Sequence, residues 1–223
     1  MDNLKSYREN EIKWYVLAYL LLVVVVCYPT TTQSVDIELA TKTEKLITSV
    51  FLSGIVCSLA FVFDSLFSSQ LKDILLYLGF TKMPGATVFT RIQEKRLRDV
   101  RINIDGAQSC YKEIIERMPS SKEKQRYENS KWYSIYSAHK EDVRVLSVHR
   151  DFLLCRGLYT TTVSLTVLTL IMMAVSLLPF SWIILGYLLI MLVVTNIAAH
   201  NKASQFVNTV IAADLASAQI DIS

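Results

Sequence analysis

Three stretches of the chain carry no charged residue: Trp14 to Val35, Leu46 to Phe63, and Gly157 to Ala199. About 20 apolar residues in a helix cover a hydrocarbon core of roughly 30 Å. The first two stretches therefore supply one crossing each, over 14–33 and 46–70. The third is long enough for two, over 157–177 and 181–199, with Leu177-Leu178-Pro179-Phe180-Ser181 as the turn. Trp14, Tyr28, Tyr159 and Trp182 stand near the ends of these stretches, where amphipathic rings favour the headgroup level. The pattern predicts an all-α, four-helix transmembrane protein built from two hairpins, 14–70 and 157–199. A helical cytoplasmic domain, 71–156, lies between crossings two and three. A short N-terminus, 1–13, and a C-terminal helix, 200–223, complete the chain.

Between the hairpins the apolar positions keep a helical period. Phe67, Leu71, Ile74, Leu75 and Leu78 extend the second crossing towards Gly79, a good C-terminal cap. Pro84 is placed to open the next helix, over 86–100, with Val88, Phe89, Ile92 and Leu97 on its apolar side. Asn103-Ile104-Asp105-Gly106 reads as a turn, followed by a helix over 107–118 that Pro119 breaks. Ser120 and Glu123 have capping-box spacing and start the longest cytoplasmic helix. Its stripe of Trp132, Tyr136, His139, Val143, Leu146 and Leu153 runs towards the third crossing, with Gly157 as the weak point. The fourth crossing continues past the membrane, with Phe206, Val210 and Ala213 on one face.

Composition agrees with this division. The chain is 52% hydrophobic and only 19% charged, which is too apolar for a soluble domain of its length. The segment Leu71–Arg156 holds 17 of the 23 basic residues against 11 acidic ones, whereas the loop after the first crossing has only Lys42 and Lys45. By the positive-inside rule both termini and the central segment face the cytoplasm. Tyr28-Pro29-Thr30-Thr31-Thr32 offers no small-residue cleavage site, so the first crossing reads as retained. Cys27, Cys57, Cys110 and Cys155 show no C-x-x-C spacing, and His139, His149 and His200 are scattered. No disulfide framework or metal set follows from them.

Several residues stand out chemically. Tyr159, Thr162, Thr166, Thr169 and Met173 form a polar face on the third crossing. Such a face meets another helix or water in preference to lipid. It is a candidate pore lining or an interhelical seam, and the seam is preferred because threonine satisfies its hydroxyl on the carbonyl one turn back. Asp64 is an ionisable residue at the inner end of crossing two, where hydration or a pairing with Lys72 is expected. Gly54 and Ser58 on the second crossing and Gly186 on the fourth permit close helix approach. Asn196 suits an interhelical hydrogen bond. Arg91, Lys95, Arg96, Arg98 and Arg101 form the densest basic cluster. Contact with anionic lipid and enforcement of topology are preferred there to a phosphate ligand, since no glycine-rich loop precedes a helix. Trp132, Tyr136, Val143 and Leu146 form a stripe suited to the soluble core and then to a partner or subunit interface.

Paired carboxylates, a nucleophile beside a base, and metal-ligand spacings are all missing, so neither an enzyme nor a cofactor is expected. In layout the chain resembles small bacterial membrane effectors encoded in phage-defence operons, of the retron-associated and cyclic-nucleotide-triggered kinds. The resemblance rests on the two-plus-two arrangement around 71–156, on Met83-Pro84-Gly85-Ala86-Thr87, and on His149-Arg150-Asp151-Phe152 leading to Arg156-Gly157-Leu158. It implies a homo-oligomer of the bacterial inner membrane, held quiet until a cytoplasmic protein or nucleotide triggers its cytoplasmic part, which then permeabilises the bilayer in antiviral defence. Nucleic acid is disfavoured as a partner. The competing expectation is a non-enzymatic anchor or sensor that recruits a soluble cytoplasmic partner.

Overall fold

A computed structural model describes residues 2–27, 67–77, 83–120 and 123–220. The described residues are helical, without strands. Their helices are α1 (Asp2–Cys27), α2 (Ser69–Tyr77), α3 (Val88–Gln93), α4 (Ile104–Cys110), α5 (Lys112–Glu116), α6 (Lys124–His139), α7 (Val143–Ala174) and α8 (Trp182–Ile220), with a 3-10 turn at Pro84–Ala86. Three of them, within Asn10–Cys27, Val143–Ala174 and Trp182–Ala218, are long and apolar enough to cross a bilayer. The expected second crossing, with Asp64, Gly54 and Ser58, lies outside the described residues up to position 66.

The chain divides into two compact units, Met1–Leu76 with Leu154–Ile197, and Tyr77–Leu153 with Ala198–Ser223. The polar unit therefore takes in the end of α8 as well as the central segment. That end carries a long apolar face, with Phe206, Val207, Val210 and Ile211 all buried.

In the membrane unit α1 packs on α7 and α8. Val16, Tyr19, Leu20 and Val23 of α1 share a buried cluster with Leu165, Leu168 and Met172 of α7 and Ile184 and Leu188 of α8. Tyr15 meets Thr162, and Tyr19, one turn on, meets Thr169. Both pairings ascend together, so α1 and α7 run parallel. Opposite faces of the same helices carry Leu17, Leu21, Val25, Val167, Leu170, Ile190 and Val194 at the surface, as lipid contact requires.

The polar unit is built on one apolar cluster joining Val88, Phe89 and Ile92 of α3, Leu97, Ile102, Ala107 and Tyr111, Trp132 of α6, Val145 of α7 and the end of α8. Phe206 stands at its centre, within 4.8 to 6.1 Å (between ring centroids) of His149, Tyr136, Trp132 and Phe152.

Helix boundaries depart from the sequence reading at several places. Of the helix expected to run through 46–70 towards Gly79, the described part begins at Phe67, and Phe67 and Ser68 are not helical. α2 then starts with the Ser68 hydroxyl accepting from the Leu71 N–H at 3.2 Å, while the expected cap at Gly79 lies outside the described residues. The helix expected over 86–100 stops at Gln93. There Lys95 turns left-handed (φ 54°) and the Arg96 N–H returns to the Arg91 carbonyl at 2.8 Å. Asn103 is an N-cap and not part of a turn: its side-chain oxygen accepts from the N–H groups of Asp105 and Gly106. Tyr111 then divides the helix expected over 107–118. Finally, the Ser120–Glu123 capping box is not formed; α6 starts after Glu123 with no side-chain cap. The long helix breaks at Lys140–Asp142, where Asp142 caps α7, and passes through Gly157 without interruption.

Candidate functional site

The hydroxyl face of α7 is an internal seam. Thr162 and Thr169 each donate to the carbonyl four residues back, Leu158 and Leu165, at 2.7 Å. Each has then spent its only proton, so the tyrosine must donate: Tyr15 to Thr162 at 2.9 Å, and Tyr19 to Thr169. Both threonines are buried, Thr166 is half-buried and bonds to the Thr162 carbonyl, and Met173 packs beside the α1 cluster. A pore lined by this face is not formed within one chain, because α1 covers it.

Tyr159 is drawn elsewhere, to a polar strap formed by α2. Its hydroxyl donates to the Leu75 carbonyl at 3.3 Å, the Asn196 amide donates to the Leu76 carbonyl at 3.3 Å, and Arg156 pairs with Asp73 at 2.8 Å. Carbonyls in the last described turn of α2 thus accept from both α7 and α8. Among the described residues, a Cβ built at Gly186 meets no atom within 4 Å, so no close helix approach is seen there. A close approach is seen at Gly85, whose Cβ would stand 3.0 Å from the Trp132 ring and 3.1 Å from Asn129.

The basic cluster is largely neutralised. Lys95 pairs with Asp105 at 2.8 Å, Arg96 with Glu94 at 3.3 Å and Arg101 with Asp99 at 2.8 Å. Arg91 donates to the Pro84 carbonyl at 3.1 Å and is half-buried. Burial lowers the pKa of its guanidinium, and Glu128 opposes that. Arg98 is exposed. The Arg101 guanidinium and the Asn208 amide hold Asp99 below the usual carboxylate range. A surface bearing this many carboxylates is a weaker anion site than the count of arginines suggests.

The aromatic stripe also divides. Trp132 is buried and stacks on Tyr136 at 5.7 Å, both against Phe206, so these two belong to the core. Val143 and Leu146 remain exposed.

One buried and one half-buried carboxylate escaped the sequence reading. Glu128, 1% exposed, accepts from both the N–H and the hydroxyl of Thr90 at the start of α3. Asp214 uses both oxygens: the Tyr111 hydroxyl donates to one at 2.6 Å, and His139 Nε2 lies 2.9 Å from the other. Burial, first, and then Asp214 push Tyr111 far above its ordinary value. One carboxylate thus ties the α4–α5 junction and the end of α6 to α8. The neighbouring Cys110 thiol is pushed up by burial and by Asp214, the opposite of an activated nucleophile. No group of three or more metal-ligating side chains occurs among the described residues. Only the spacing between Tyr111, His139 and Asp214 in the fold, not in the chain, could have revealed this node.

Compared with protein-family models, with curated proteins and with solved structures, the chain matches none.

Proposed function

We propose that the protein is a non-enzymatic effector of the bacterial inner membrane that disturbs the bilayer when its cytoplasmic domain is triggered. One observation carries the reading. α7 and α8 contribute to both units as unbroken helices of 32 and 39 residues. A change of packing around Phe206 is therefore transmitted along the backbone to residues facing lipid. The parallel course of α1 and α7 supports a common side for the N-terminus and the start of α7, and the basic residues of the central segment support the cytoplasm as that side. Disturbance would come from copies assembling through their apolar outer faces, since the threonine face is already taken up by α1.

The second reading, a membrane anchor or sensor for a soluble partner, is favoured by that same satisfied seam and by exposed Val143 and Leu146 on the polar unit. Expression in bacteria with a potential-sensitive dye separates the two. Depolarisation coincident with growth arrest supports the effector. Growth arrest with the potential intact removes it, and co-purification of a soluble protein lost in V143D/L146D would then favour the anchor.

A further inference from the structure

The short helix α2 has two faces of different character. Leu76 and Tyr77 are buried, while Leu71 and Ile74 are 38% and 61% exposed. The exposed pair is three residues apart and so lies on one side of the helix. Exposure of two large aliphatic side chains on a nine-residue helix needs a reason, and the position of the helix gives one.

Asp73, Leu75 and Leu76, close neighbours on α2, reach two different helices: Arg156 and Tyr159 on α7, and Asn196 on α8. On each of these helices the contacts fall within about one turn. α2 therefore bridges α7 and α8 at a single level. That level is where the uncharged run 157–199 ends, with Arg156 just outside it. Phe67 and Ser68, just before it, are not helical, and the Ser68 hydroxyl caps the start of α2. On α8, Val193, Val194 and Ile197, close in the chain to the Asn196 that holds α2, are likewise exposed.

We propose that α2 is an interfacial helix, strapped across α7 and α8, whose Leu71 and Ile74 contact acyl chains just beneath the headgroups of the bilayer's inner leaflet. This rests on the membrane reading above. Lipid, not protein, is the occupant because Arg156, Tyr159 and Asn196 hold α2 at the level where the uncharged run ends, α8 exposes apolar residues at that level too, and the face is only a few side chains wide. An interfacial helix held by three polar bonds would report changes in headgroup packing to both long helices, giving the effector a direct sensor of the membrane it acts on.

The test uses the full chain with Cys27, Cys57, Cys110 and Cys155 replaced by serine and a single nitroxide introduced by Ile74→Cys, Ile190→Cys or Ser134→Cys. The protein is reconstituted in vesicles of phosphatidylethanolamine and phosphatidylglycerol. Collisional access to oxygen and to a water-soluble nickel chelate is measured at each site, after identical elution of the three proteins establishes that all fold. Site 134, on the exposed side of α6, should favour nickel, and site 190, on the outer face of α8, should favour oxygen. The proposal expects site 74 to exceed site 134 several-fold in its oxygen-to-nickel ratio, at a depth shallower than site 190. Access at site 74 matching site 134, or shielding from both reagents as in a contact with a second copy, overturns it. Nickel access at site 190 would overturn the membrane reading itself, and the strap with it.

Discussion

At the scale of single residues, two non-glycine positions take up left-handed backbone among the described residues, Lys95 (φ 54°) and Ser176 (φ 61°). Each follows a helix, and the next N–H folds back five residues: Arg96 to Arg91, and Leu177 to Met172. An L side chain pays roughly 1–2 kcal/mol for that conformation, part of which glycine returns through its looser unfolded chain. Ser176→Gly should therefore stabilise the protein by about 0.5–1 kcal/mol, read as a higher melting temperature in detergent. Gly85→Ala should act in the opposite sense. Its Cβ presses on Trp132, a core residue with little room to retreat, and a loss of about 1–3 kcal/mol is expected, measurable in the same melt. Tyr111 sets an alkaline limit. Its folded value is raised above the ordinary 10.0, so the stability it provides is complete below pH 10 and declines as pH climbs beyond. Tyr111→Phe should flatten that decline while lowering stability at neutral pH, where Asp214 loses a donor. Melts at several pH values above and below 10 check both effects.

The elements show how far the amino-acid pattern leads. Long apolar helices were legible, because crossing a bilayer demands about 20 uncharged residues and the 3.6-residue period holds throughout. Short helices were not. Their limits depend on which backbone groups find a partner, and those partners are distant in the chain: Glu128 lies 38 residues from Thr90, and Asn196 lies 120 residues from Leu76. Likewise Ser120–Glu123 has the spacing of a cap without forming one, whereas Asn103, Ser68 and Asp142 cap helices from sites read as turn, crossing and helix interior. The candidate sites fared similarly. Thr162 and Thr169 were legible as a seam by hydroxyl spacing alone, but the tyrosines that complete it required the relative register of α1 and α7. Phe206, read only as one member of a face, is the hub of four rings. Phe206→Ala should cost about 3–5 kcal/mol and expose the polar unit to protease, with cleavage rates on the purified full chain as the measure.

For the molecule as a whole, the parallel pairing of α1 with α7 constrains topology independently of charge. If both cross the bilayer, Asn10 and the α6 residue Ser134 have the same side as their origin. Cysteines introduced at 10 and 134 in a chain lacking its native cysteines should react with an impermeant reagent in inside-out vesicles and resist it in right-side-out ones. Opposite behaviour of the two sites would break the pairing. The central segment is basic, yet its arginines are matched by carboxylates at close range, so what orients the protein need not also bind an anion.

The α1–α7 pairing also bears on how the protein is made. Tyr15 and Tyr19 find their acceptors 147 and 150 residues later in the chain. A tyrosine hydroxyl cannot reach its own helix backbone as a threonine can, so for most of translation the acceptors that α7 gives these two groups do not yet exist. Polypeptides released before residue 169 should consequently be cleared by membrane quality control faster than those released shortly after it, and a pulse–chase of nested truncations would display the step.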